Sequence, residues 1–201
     1  MMAPTVLLFG HSFVQRFRKY LSPQPLPTNT NFASFLQVNN TVSTLLVKGV
    51  SGLKVTDAAT PNGPLLSLVV EHAPDIVILD IGTNDLDVDE PQHYTHLLVT
   101  YLQNLGDALV NLYGVRRVVF CQILTRDPDS NKPRADTSVH LINLSIFAVN
   151  LAMKLFANDQ SSHFGYWVMK GLNHQAALAP DGLRLRLWGN HNKASSKLTM
   201  Y

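Results

Sequence analysis

Short apolar runs, each closed by a turn residue, alternate along this chain with longer amphipathic stretches. No other feature restricts the fold as much. Val6-Leu7-Leu8-Phe9 stops at Gly10, and Ile76-Val77-Ile78-Leu79 lies between Pro74 and Gly82. Apolar runs of this length bounded by turn residues read as buried strands. Thr41 to Val50, Val115 to Leu124 and Gly165 to Met169 are further strand candidates. Helices are predicted over Ser12 to Leu21, Leu65 to His72, Pro91 to Tyr113, Thr137 to Phe156 and Trp188 to Leu198. In the Thr137 helix, Leu141, Leu144, Ala148, Leu151 and Leu155 share a face. Prolines mark Ser22 to Thr30 and Arg126 to Arg134 as loops. Strands alternating with helices imply a parallel sheet, here five-stranded, with helices on both faces. At 201 residues, with no repeat or linker, the expectation is one α/β domain spanning residues 1–201.

Composition narrows the function classes. The chain is 46% hydrophobic and 15% charged, which argues against disorder. A net charge of +2 is too small to point to nucleic acid by itself. The one cysteine, Cys121, sits in an apolar run and reads as a buried small hydrophobe. A lone cysteine allows no internal disulfide, which fits a reducing compartment. The N-terminal stretch makes a poor signal peptide, and no apolar run approaches the roughly 20 residues of a membrane helix. The expectations are therefore a cytoplasmic protein and no membrane partner. No CxxC or HExxH occurs, so neither a metal nor a cofactor is expected.

Four short blocks carry the chemistry: Gly10-His11-Ser12, Gly49-Val50-Ser51-Gly52, Gly82-Thr83-Asn84-Asp85 and Asp181-Gly182-Leu183-Arg184. The first three follow strands one, two and three, where open parallel sheets place their ligand crevice. Ser12 would stand at a helix N-terminus, where free N–H groups favour negative charge. Its hydroxyl needs a base before it is a nucleophile; as a bare helix cap it would need none. Gly52 permits close backbone approach, and the Asn84 amide could face the oxyanion of a tetrahedral intermediate, where one donor is worth about 10²–10³ in rate. Alone, Asn84 reads equally as a turn residue.

In these blocks the chain resembles the SGNH hydrolases, the GDSL-type esterases and lipases, from about Val6 to Leu198. The family pattern is a Gly-Asp-Ser loop, a glycine loop, a Gly-x-Asn-Asp loop and a C-terminal Asp-x-x-His. The resemblance implies a flavodoxin-like three-layer α/β/α sandwich, a Ser-His-Asp triad and hydrolysis of acyl or acetyl esters of small molecules. It makes Ser12 the nucleophile, Gly52 and Asn84 the oxyanion donors, and Asp181 the residue that orients the base. Two positions depart from the pattern. His11 replaces the aspartate before the nucleophile, and Arg184 replaces the catalytic histidine.

Arginine keeps its proton at any working pH and cannot serve as general base. His174 is the first candidate for a substitute base, ahead of His191 and of His11, because a base must reach the nucleophile. Arg184 suggests a second reading: a pseudo-hydrolase that binds an anion, a carbohydrate or, less favoured, nucleic acid, with retroelement origin raised by the resemblance. A nucleotide-binding flavodoxin ranks last, since the first loop lacks GxGxxG and the P-loop lysine.

Overall fold

The structure is a computed structural model describing residues 4–21, 37–38, 41–42, 44–126, 136–168 and 199–200. Strand β1 (Thr5–Gly10) leads directly into helix α1 (Ser12–Leu21). A two-stranded antiparallel ladder, β2 (Gln37–Val38) with β3 (Thr41–Val42), precedes β4 (Thr44–Gly49). Then come α2 (Val55–Ala58), α3 (Pro64–His72), β5 (Ile76–Asp80), α4 (Pro91–Asn111), β6 (Arg117–Cys121), α5 (Asp136–Asp159), β7 (Phe164–Val168) and β8 (Thr199–Met200).

The expected five parallel strands are present, in the order β4-β1-β5-β6-β7, and β8 adds to β7 antiparallel. Among the parallel strands this is the flavodoxin-like order, in which the chain steps outward in both directions from β1. Side chains alternate across the sheet, as a period of two requires. Val6, Leu8, Ile78, Val119, Cys121 and Trp167 face α1, where Val14, Phe13 and Phe17 meet them. Leu7, Phe9, Val77, Leu79, Val118, Phe120 and Phe164 face the other way, into a core shared with α2 through α5. The α/β/α sandwich expected from the sequence is therefore the observed fold.

Two expectations need correction. The buried face of α5 is Ile142, Ile146, Val149, Met153 and Ala157, while Leu144, Leu151 and Leu155 stand exposed. The helix is apolar nearly all round, so periodicity could not select the inner face. Asn143 and Asn150 select it, by the backbone bonds described below. Helix α5 is also long and apolar enough to cross a membrane by length and composition, with mean hydropathy 1.6 over an 18-residue window within Val139–Asp159. Its polar residues interrupt the apolar run yet leave the mean high, and its inner face is part of the core. The helix expected at Trp188 to Leu198 lies outside the described residues.

Candidate functional site

The strand register assembles three of the four blocks. Gly10 pairs with Gly49 on one side and with Asp80 on the other, so three neighbouring strands end at one level. Adjacent strands lie about 4.8 Å apart. The pairing continues one step past the strands: Val50 N–H donates to Gly10 O (2.8 Å) and His11 N–H to Asp80 O (3.1 Å). Ser12, the Val50–Gly52 turn and the Gly82–Asp85 turn thus leave one edge together, at the point where the strand order reverses.

Glycine is required where these segments touch. A Cβ on Gly10 would come within 2.5 Å of Asp80 O and 2.7 Å of Val14 Cγ2. A Cβ on Gly49 would collide with the Gln15 backbone, so α1 rests directly on the end of β4. Ser51 Oγ donates to Gln15 Oε1 (2.8 Å) and ties the second block to the same helix. Gly52 has φ +73 and nothing within 4 Å of its missing Cβ, leaving its backbone accessible.

The third block is held by its last two residues. Asn84 Nδ2 donates to Leu53 O (2.9 Å), which fixes the amide beside the second block. That bond uses one of the two amide hydrogens. Both carboxylate oxygens of Asp85 accept from Val55 N–H (3.1 and 3.2 Å), so Asp85 anchors the N-terminus of α2. Burial pushes the Asp85 carboxyl up to about 6 against the opposing pull of the Val55 N–H. Asp85 is an internal brace, and the oxyanion candidates are left to Asn84 and Gly52.

His11 is not aimed at Ser12. Its Nε2 lies 3.5 Å from Asp80 Oδ1, and its Nδ1 accepts from Phe13 N–H (3.4 Å). Both ring nitrogens are engaged elsewhere, which argues against His11 as the base.

A second tier of residues, not legible in the sequence, supports these loops. Arg126, assigned to a polar loop, is buried, and its guanidinium donates to Thr83 O (2.9 Å) and Asp87 Oδ1 (3.3 Å). It braces the third block from outside. Its own backbone is gripped by Asn143, whose Oδ1 accepts from Arg126 N–H (2.7 Å) and whose Nδ2 donates to Arg126 O (2.9 Å). Asn150 does the same for Ile123, at 2.9 and 2.8 Å. Two asparagines seven apart in an apolar helix were the available signal, since such residues are disfavoured in helix interiors unless their side chains find a partner.

Asp181, Arg184, His174 and His191 lie outside the described residues. Among the described residues no group of three or more His, Cys, Asp or Glu could hold a metal ion.

No family model matches the chain, and no curated protein matches it. Solved structures do. A catalytic mutant of an acetylxylan esterase from Geobacillus stearothermophilus aligns at TM-score 0.58 and 18% identity, covering 90% of this chain and 86% of that one. A GDSL-like lipase from Bacteroides thetaiotaomicron aligns at TM-score 0.56 and 15% identity, covering 92% and 83%. The chain therefore has the fold of the SGNH hydrolases. At this identity the likeness defines the fold alone.

Proposed function

We propose that this is an SGNH-type ester hydrolase acting through Ser12 on small acetyl or short acyl esters, with turnover limited by Arg184. The observation that carries the reading is the register of β4, β1 and β5. It brings Ser12, the first residue of α1, to one edge of the sheet with the Gly52 and Asn84 turns. Ser12 Oγ attacks the ester carbonyl, and its proton passes through solvent water to the departing alcohol oxygen. The Gly52 N–H and the second Asn84 amide hydrogen receive the developing oxyanion. The alcohol then leaves, and water releases the acid. The fold shared with a GDSL-like lipase and an acetylxylan esterase supports this reaction class.

The proton from Ser12 is the weak point. Arg184 cannot accept it, and loss of the base can cost about 10⁶ in kcat while roughly 10³–10⁴ over water survives. Incubation with p-nitrophenyl acetate followed by peptide mass spectrometry tests the nucleophile. Acetyl on Ser12, absent in Ser12→Ala, is the expected result; acetyl found only elsewhere would remove Ser12 from the reaction.

Arg184 also favours a second reading. A permanent cation at the sequence position of the catalytic base suits an anion, so the protein would bind a carboxylate, phosphate or sulfate group without hydrolysis. Calorimetry with these anions should show binding in the wild type that Arg184→Ala weakens; equal heats in both would end this reading.

A further inference from the structure

A buried pair beside the nucleophile turn has no part in the reaction just described. We infer that His11 and Asp80 position that turn: Asp80 accepts the Nε2–H of His11, which leaves Nδ1 bare to cap α1 at the Phe13 N–H. The functional meaning rests on Ser12 as nucleophile, but the tautomer and the cap can be measured without turnover.

The first N–H groups of a helix lack intrahelical partners and usually meet a side-chain oxygen. Histidine has none, and it accepts only through an unprotonated ring nitrogen. His11 Nδ1 lies 3.4 Å from the N–H of Phe13, the second residue of α1. A lone pair on Nδ1 requires the single proton of the neutral ring to sit on Nε2. That nitrogen faces Asp80 Oδ1 at 3.5 Å, with the two side chains only 14% and 9% exposed. Asp80 therefore selects the tautomer that can cap. The other Asp80 oxygen, Oδ2, is buried and has no hydrogen-bond partner among the described residues, which leaves the carboxylate committed to this histidine.

The arrangement responds to protons. A second proton would land on Nδ1 and turn the cap acceptor into a donor facing the Phe13 N–H. It would also put a positive charge at the positive end of the helix dipole. The groups that bear on the pair are Arg16 on α1, Asp80 on β5 and Cys121 on β6; the β4 residue level with Gly10 is Gly49. Burial works to keep the ring neutral, and Arg16 adds to it. The charge and hydrogen bond of Asp80 outweigh both, so the His11 pKa is raised above its ordinary value. The capped neutral form thus holds above that ionisation, and an uncapped His11–Asp80 ion pair holds below it.

The test uses the whole chain labelled with ¹⁵N in histidine and in the backbone. Long-range ¹H–¹⁵N spectra of the wild type at high pH should show the Nε2–H tautomer of His11, and the Phe13 amide should titrate with the His11 ring. Asp80→Asn should leave a mixture of tautomers. Ser12-dependent hydrolysis should fall as pH drops through the His11 ionisation. His11→Ala should slow it about tenfold, and His11→Asn, whose Oδ1 can take the place of Nδ1, should restore the rate without the pH step. An Nδ1–H tautomer, a Phe13 amide indifferent to the His11 titration, or an asparagine no better than alanine would each overturn the inference. Hydrolysis that survives Ser12→Ala would instead sink the functional reading, with the spectra still deciding the pair.

Discussion

Replacing Gly49 by alanine probes the contact that holds the nucleophile helix in place. The new Cβ would come within 2.5 Å of Gln15 Cα, and closer still to Gln15 N, where ordinary contact starts at 3.4 Å. The obstacle is backbone on both sides, so no rotamer change relieves it. Helix α1 must retreat by about 0.9 Å or more, the difference between those two distances. Overpacking of this kind costs about 1–3 kcal/mol. Ser12 stands three residues before Gln15 on the same helix and moves with it, and a misplacement of about 1 Å can cost on the order of 10² in rate. Urea denaturation reads the first effect. Ester hydrolysis reads the second, measured in an Arg184→His background if the native rate is low. A Gly49→Ala protein that keeps its stability within about 0.5 kcal/mol and keeps its rate would refute the packing argument.

Other perturbations have defined signs. Asp85 holds its proton up to about 6 when folded and to 3.8 when unfolded, so the folded state carries the extra proton between those values. Stability from this group is therefore greatest at low pH and falls as pH rises toward 6, by about 3 kcal/mol. Denaturation at pH 4 and pH 7 should show that wild type loses stability relative to Asp85→Asn on going up; a constant difference would contradict it. Asn150→Ala removes both bonds to Ile123 and should cost about 2–3 kcal/mol in thermal or chemical unfolding, and a loss below about 0.5 kcal/mol would contradict the clamp. Arg126→Ala removes the donor to Thr83 O and should slow hydrolysis more than it lowers binding of a product acid; an unchanged rate would detach Arg126 from the third block.

What the sequence discloses follows from how local each signal is. Gly10, Gly49 and Gly82 end or follow apolar runs, so the three loops and their place at the strand ends are legible from neighbours in the chain. The sheet order then brings the loops together, because a parallel sheet has one carboxyl edge. The supports of those loops are not local. Asp80 reads as the end of a strand until the register sets it beside His11, which is 69 positions away in the chain. Arg126 reads as loop polarity because Thr83 and Asp87 are some forty residues distant. The inner face of α5 was hidden for a different reason: both faces are apolar, and the asparagines that decide between them act through hydrogen bonds, not hydrophobic period.

The account turns on Ser12 as nucleophile and Arg184 as the obstacle to turnover. Steady-state hydrolysis of p-nitrophenyl acetate by wild type, Ser12→Ala, Arg184→His and the double variant, side by side, tests both together. The account predicts slow hydrolysis by the wild type that Ser12→Ala abolishes, and at least a hundredfold gain in Arg184→His that also vanishes without Ser12. An Arg184→His protein no faster than wild type, or a gain that survives the loss of Ser12, would contradict it.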